Sequence, residues 1–183
     1  MLKVAAELFS ERPYDEVSME DVAARAQISR ALLYRHFPSK QQLFAAMYQG
    51  AADRLLSETE LDPNVPMADQ LVSGLDAHFD YFEANRNTVL AANRTLAGDR
   101  TIQAIIDGEL DALRKRMVGA AALDGTDRQK ISTILMSWLV FTRTMSIEWL
   151  ANDTFSRDEL RAICLGALHG ALGGSVDVTQ PPH

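Results

Sequence analysis

The sequence predicts an all-α protein: a three-helix N-terminal head on a larger helical body, about nine helices in all. Three observations predict it. Apolar residues recur at helical spacing in nearly every segment, no stretch alternates convincingly at period two, and several segments open on a helix-capping residue. Hydrophobic residues make up 47% of the 183 residues, with ten glycines and six prolines, so a real core can be buried. The expected domains are a head over 1–46, a body over 47–176 and a tail over 177–183, joined along the fourth helix.

Leu2, Ala5, Ala6 and Phe9 fall on one face of a first helix that stops near Arg12-Pro13. Ser18 is the N-cap of a second helix whose inward residues are Met19, Val22, Ala23 and Ala26. Ser29 caps a short third helix through His36, and Pro38 ends it. Ser39 with Gln42 forms a capping box for a fourth, striped by Leu43, Phe44, Met47, Ala51 and Leu55. A proline-containing loop at 62–66 follows. The next helix covers 67–84 with Leu71, Val72, Leu75, Phe79 and Phe82 inward, and a shorter one covers 86–97. Asp99 caps a helix carrying Ile102, Ile105, Ile106, Leu110, Leu113 and Met117. A long helix runs from Gly125 to about Ala151, and Ser156 with Glu159 opens the last, to about Leu172.

Net charge is −7, which taken whole argues against nucleic acid as a partner. The distribution says otherwise. From Val22 to Ala52 there is no acidic residue, while Arg25, Arg30, Arg35, His36 and Lys40 fall in the same window. Within the helix 30–36, Leu33 points into the head with Phe37 and Ile28. Arg30, Ala31, Tyr34 and Arg35 face out. A helix of this size fits the major groove, and arginine can pair bidentately with a guanine edge. Small Ala31 lets the backbone approach, Leu32 can touch a thymine methyl, and Tyr34 and Lys40 suit phosphates, which set position rather than sequence. Helices 19–26 and 30–36 with the turn at Gln27-Ile28 make a helix-turn-helix.

Ser18-Met19-Glu20-Asp21-Val22-Ala23, then Ala26-Gln27-Ile28-Ser29, then Leu33-Tyr34-Arg35-His36-Phe37-Pro38-Ser39-Lys40 and Leu43, resemble the TetR/AcrR signature, as does Ala6-Glu7-Leu8-Phe9 before Tyr14. The resemblance covers about residues 2–48. It implies base contacts from Arg30, Ala31, Leu32 and Arg35, and phosphate contacts from Tyr34, His36 and Lys40. Ser18 or Ser29 adds contacts at a helix N-terminus. Family members usually have glycine where Gln27 stands, and generally carry a short, often basic segment ahead of the first helix, within which this sequence begins. The single cysteine and the lack of a signal-peptide pattern predict a cytoplasmic protein, and the resemblance implies a homodimer formed through the last two helices, two heads on a pseudo-palindromic double-stranded DNA operator, and repression relieved by a small-molecule effector.

The body supports dimerisation independently. Between Lys130 and Glu148 the only charge is Arg143, so that helix is apolar almost all round and must be covered on more than one side. The last helix carries a stripe of minimal side chains, Ala162, Gly166, Gly170 and Gly174. Expected interface residues are Trp138, Met145, Ile163, Gly166, Ala167 and Gly170. Polar residues on apolar faces, His78, Asn93 and Arg143, with Tyr81, Phe82, Trp138 and Phe141 as walls, are candidates for a mainly apolar effector pocket. Each polar member has a structural reading too. A core histidine or asparagine can simply be hydrogen-bonded, and Arg143 can pair with an acid or lie at the interface.

Catalysis is not signalled. No Glu-x-x-His, phosphate loop, nucleophile elbow or zinc spacing occurs, and on a helix His78 points away from Asp76 and Asp80. No cofactor or metal is expected. The single cysteine, Cys164, permits no internal disulfide, and residues 1–9 lack the pattern of a signal peptide. No membrane span is expected. The alternative function is a helical small-molecule binder or scaffold that no longer reads DNA.

Overall fold

The computed structural model describes residues 1–58, 62, 64–120 and 125–173; Gly174, the end of the body and the tail at 177–183 lie outside the described residues. Nine α-helices occur among those described: α1 (Leu2–Glu11), α2 (Met19–Arg25), α3 (Arg30–His36), α4 (Lys40–Glu58), α5 (Met67–Ala84), α6 (Arg86–Leu90), α7 (Arg100–Ala120), α8 (Gly125–Asn152) and α9 (Arg157–Leu172). A 3-10 turn, Tyr14–Glu16, follows α1, and no strand is found among the described residues.

Local chemistry sets the helix ends. Ser18 and Asp21 form a reciprocal capping box on α2, and Ser156 and Glu159 form another on α9. Ser29 Oγ accepts from the Leu32 N–H at 3.2 Å, and Ser39 Oγ from the Gln42 N–H at 3.2 Å. Asp99 Oδ1 accepts from Thr101 and Ile102 at the head of α7. Each such cap contributes about 1 kcal/mol. At the end of α9, Gly173 takes φ 63°, where a side chain would be strained.

The segment expected as one helix over 86–97 is divided. α6 stops at Leu90, and a π turn, Ala91–Thr95, follows. Asn93 Nδ2 donates to the Val89 carbonyl at 2.8 Å, and Leu96 N–H reaches back five residues to the Ala91 carbonyl at 2.8 Å. The amide side chain competes for a carbonyl of the helical ladder, and the backbone widens by one residue.

The chain forms two compact units, 1–55 with 84–107, and 56–83 with 108–183. The head expected over 1–46 is therefore joined in the first unit by α6 and the start of α7. α1 packs on both α2 and α6, and Asn87 Nδ2 donates to the Ser10 carbonyl at 2.8 Å. The core of this unit is aromatic. Phe9 stacks on Tyr14 at 5.6 Å and meets Phe44 edge-on at 5.1 Å, and Phe44 stacks on Tyr48. Val17, Val22, Leu33 and Leu43 close around them. The buried face of α1 is Ala5, Leu8 and Phe9. Leu2, expected inward, lies one turn beyond the edge of this core and is exposed.

In the second unit α8 packs along α9, and the Trp138 indole N–H donates to the Cys164 carbonyl at 2.8 Å. Leu160, Cys164, Leu168 and Leu172 make the buried stripe of α9. Arg157 and Arg161 of α9 bind Asp76 of α5, at 3.6 and 2.7 Å. Phe79 of α5 meets the Trp149 ring of α8 at 5.6 Å.

Candidate nucleic-acid interface and cavity

α2 ends in a two-bond reversal. Ile28 N–H bonds the Ala23 carbonyl at 3.0 Å and Gln27 N–H bonds the Ala24 carbonyl at 3.1 Å. This pattern requires a left-handed residue, and Gln27 supplies it with φ 54°. Without glycine's freedom the residue carries strain of about 1 kcal/mol. The reversal launches α3, which is anchored through fully buried Leu33. Ser29, Arg30, Ala31, Tyr34, Arg35 and His36 are all exposed, and Leu32 is half-buried.

The positive window is smaller in space than in sequence. Arg25 pairs with Glu11 at 3.0 Å, and Arg30 approaches Glu20 at 3.7 Å. Both pairs are solvent-exposed and weak. Among the described residues, the Arg35 side chain has no hydrogen bond or ion pair, so its guanidinium is the cation of α3 presented without competition.

Two expected phosphate contacts have other work in the fold. The Lys40 ammonium donates to the Tyr14 and Val17 carbonyls at 2.9 and 3.0 Å and sits 4.2 Å above the Tyr14 ring. It staples the turn after α1 to the start of α4, which leaves one N–H for any anion. Ser18 is closed by its capping box, and Asp21 and Glu20 make the first turn of α2 acidic, an unfavourable place for phosphate. The bond from Ser18 holds the Asp21 carboxyl below its usual range.

The second unit holds a partly open cavity of about 140 Å³ among α5, α7 and α8. Leu75, Leu110, Leu113 and Leu139 supply apolar wall, and His78, Trp138 and Arg143 reach it as well. Arg143 and Glu109 form a buried ion pair at 3.5 Å, with side chains 7% and 9% exposed. Burial pushes the Glu109 carboxyl up, and Arg143 opposes that shift. His78 Nε2 lies 3.1 Å from Ser146 Oγ, while Ser146 donates its one proton to the Thr142 carbonyl at 2.8 Å. Nε2 is therefore the protonated nitrogen of a neutral imidazole. Burial, and then the charge of Arg143, lower the His78 pKa to about 3.

The pH dependence follows. A folded pKa below the unfolded 6.5 means that the unfolded chain binds the proton first. The stability contributed by neutral His78 is fully present above pH 6.5 and is lost as pH falls toward 3. Between pH 7 and pH 5 the loss is about 2 kcal/mol. His78→Gln, which keeps a donor for Ser146, should flatten the decline in urea-unfolding free energy by that amount. An unchanged slope would refute the assignment.

Other expected pocket residues lie elsewhere. Asn93 belongs to the first unit, where its amide is engaged with Val89. Phe141 is 36% exposed on the outer face of α8, since one residue of helix turns a side chain by 100° and Thr142 takes the inward place. Phe82 stands behind the cavity, 3.9 Å from the His78 ring and 5.7 Å from the Arg143 guanidinium; Tyr81 is beyond it. Trp138, expected also at a dimer face, is buried within the chain. Glu109 and Thr142 were not singled out in the sequence. Glu109 does fall on the Ile102–Ile106–Leu113 stripe of α7, where an acid signals a buried partner.

The outer faces of α8 and α9 are unusual. Val140 and Phe141 are exposed beside each other. Gly166 and Gly170 are exposed, and a Cβ on either meets nothing within 4 Å. Ile163, Ala167 and Met145 are half-buried.

Comparison with known proteins agrees with this architecture. The family profile for bacterial regulatory proteins of the tetR family matches residues 1–47. A crystal structure of a TetR-family transcriptional regulator from Streptomyces coelicolor matches with a TM-score of 0.84, covering 95% of this chain and 79% of that one at 26% identity. The head carries the match to that family profile, and the helical body shares the fold of the Streptomyces coelicolor regulator. The transcriptional activator FasR of Mycolicibacterium smegmatis is 34% identical over 85 residues, 45% of this chain, and the match spans 39% of that relative's length. The FadR regulator of Bacillus subtilis, solved in complex with stearoyl-CoA, shares the fold at 15% identity, with a TM-score of 0.67 over 94% of this chain and 96% of that one. Among the described residues no cluster of three metal-ligating side chains occurs, and no helix is long and apolar enough to cross a membrane.

Proposed function

We propose that the chain is a homodimeric, sequence-specific DNA-binding transcriptional regulator whose operator affinity changes when a small, largely apolar effector occupies the cavity of the second unit. The observation that carries this is α3. Arg30, Ala31, Tyr34 and Arg35 are exposed on a short helix whose anchor, Leu33, is fully buried. Arg35 and Arg30 read base edges, Ala31 permits close approach, and Leu32 meets a thymine methyl. Ser29, Tyr34 and His36 position the helix on phosphates, with Ser18 and the remaining N–H of Lys40 as lesser contacts.

A second copy of the chain accounts for the outer face of α8 and α9. An interior helical glycine costs about 1 kcal/mol relative to alanine, and nothing among the described residues requires glycine at 166 or 170. A partner helix packed there does. Val140, Phe141, Met145, Ile163 and Ala167 continue the same face. A two-fold dimer places two recognition helices on half-sites of an inverted repeat.

The FadR complex shows that a protein of this fold binds a small molecule. Effector and operator are coupled here by linkage, so DNA weakens effector binding by the same factor as effector weakens DNA binding. Repression relieved by effector is the proposed sign; FasR is an activator, so a reporter assay must read both directions.

Selection from a random DNA pool at two salt concentrations tests the reading. An inverted-repeat motif, bound less tightly as salt rises, is the expected result, because each neutralised phosphate releases counterions. Recovery of no motif at either salt would overturn DNA reading and leave a helical small-molecule binder.

A further inference from the structure

The cavity of the second unit is apolar along most of its length and charged at one end. Along α7 its lining runs from Glu109 to Met117, about 12 Å of helix. Burial falls along that line. Glu109 and Leu110 are buried, as are Arg143, Trp138 and Leu75, whereas Arg116 and Met117 are half-buried. The ion pair of Arg143 with Glu109 therefore stands at the closed end. A buried pair is often no more stabilising than apolar side chains of the same volume, so its place in an apolar cavity needs a reason other than stability. This pair is also loose. Arg143 Nη1 lies 3.5 Å from Glu109 Oε2, against roughly 2.7–2.9 Å for a close charge-assisted bond. Burial has already pushed the Glu109 carboxyl up with the guanidinium beside it.

Such a pair admits one sign of charge more readily than the other. A guanidinium does not give up its proton, so an entering cation would leave a net positive charge buried. A carboxylate can take one. An entering anion meets the planar fork of Arg143 while Glu109 becomes a neutral acid, and the closed end keeps zero net charge. The neighbouring groups leave this balance intact. His78 of α5, with its pKa lowered to about 3, is neutral near pH 7. The Cys164 thiol of α9, hydrogen-bonded to Thr142, is pushed up by burial and stays protonated. Arg116 of α7 stands at the more open end, where it donates to the Leu56 carbonyl and water screens its charge. Among the described lining residues, two arginines thus face one acid.

We propose that this cavity binds a monocarboxylate with an apolar body, its carboxylate taking the place of Glu109 on Arg143 while Glu109 takes one proton from solvent. The inference rests on reading the second unit as the effector domain and supplies the chemical class of the effector.

The full chain, without DNA, is titrated by calorimetry with octanoate, octane-1-sulfonate, octan-1-ol and octylammonium, whose flexible chains make no demand on the shape of the cavity. At pH 6 both anions should bind about tenfold more tightly than octan-1-ol, and octylammonium most weakly. Titration at pH 7 in PIPES and in imidazole, which differ in ionisation enthalpy, should show uptake of about one proton per anion bound. Anion affinity should fall by up to about tenfold per unit from pH 6 to pH 8. The sulfonate stays ionised throughout, so its proton must go to the protein. In Glu109→Gln the uptake and the pH dependence should vanish while anion binding remains. If that variant fails to fold, the sulfonate titration of the parent still decides. The proposal is overturned if octan-1-ol or octylammonium binds as tightly as the anions, or if none of the four binds. Anion binding without proton uptake would place the carboxylate on Arg116 and overturn it too. So would uptake that survives in Glu109→Gln, or octanoate binding without sulfonate binding, the mark of a site for the neutral acid. Operator affinity is then measured with saturating probe. Anion binding with proton uptake and operator affinity unchanged would sink the effector reading and leave the site standing. Operator affinity that responds to octan-1-ol alone would do the reverse.

Discussion

Arg143→Met should destabilise the protein by about 3–5 kcal/mol, among the largest losses expected from any single polar substitution here. The cause is the partner rather than the arginine. Glu109 is 9% exposed and buried enough that its carboxyl is already pushed up despite the adjacent guanidinium. Removing Arg143 leaves a buried carboxylate that must either stay charged without compensation or take a proton. The pair itself contributes far less than its disruption costs, because both ions were desolvated to form it. The double variant Arg143→Met/Glu109→Leu should therefore recover to within about 1 kcal/mol of the parent or exceed it.

The pH profile separates this explanation from simple loss of packing. In Arg143→Met the folded pKa of Glu109 rises further above its unfolded value. Its penalty is then present at pH 7 and relieved as pH falls through the raised folded pKa. His78 loses a neighbouring cation in the same variant, so its own acid sensitivity shrinks. The parent should weaken from pH 7 to pH 5, while Arg143→Met should hold steady or strengthen. Urea midpoints at both pH values measure this. A single variant costing under about 1 kcal/mol, or one with the parental slope, would mean that water already reaches Glu109.

What was legible in the sequence was local. Caps at Ser18, Ser29, Asp99 and Ser156 link residues two or three apart, and the core stripes repeat within a helical turn. The head is a short contiguous stretch, so Leu33 inside and Arg30, Tyr34 and Arg35 outside could be assigned from spacing alone. Features set by distant parts of the chain were not legible. Glu11 and Glu20, the acids that meet Arg25 and Arg30, stand outside the acid-free window. Lys40 finds its carbonyls 26 and 23 residues earlier in the chain. On α8, where apolar residues surround the helix, periodicity gives no phase; Phe141 was placed inward although Thr142 holds that direction. A buried acid such as Glu109 is visible as an exception on its stripe, yet only packing names its partner.

Arg35→Ala should cost about 1–3 kcal/mol of discrimination between the selected operator and unrelated DNA, a loss of roughly tenfold to more than a hundredfold in the specificity ratio. No acid among the described residues competes for its guanidinium, so the whole interaction is available to a base edge. Arg30→Ala should follow the same pattern with a smaller loss, because leaving Glu20 costs Arg30 a weak contact at 3.7 Å. Tyr34→Phe should weaken all sequences about equally and leave the ratio intact, as expected of a phosphate contact. Lys40→Met provides the internal contrast. Two carbonyls and an aromatic face hold its ammonium, so removing the charge should first lower the unfolding midpoint of the head and only through that weaken DNA binding. Competition titrations at two salt concentrations, paired with thermal melts of each variant, distinguish these roles. If Lys40→Met left the melt unchanged and weakened every sequence, with a salt slope shallower by about 0.9, its ammonium would be a phosphate contact and the staple incidental. If Arg35→Ala instead weakened operator and random DNA alike, Arg35 would belong to the backbone, and base reading would pass to Arg30 and Leu32.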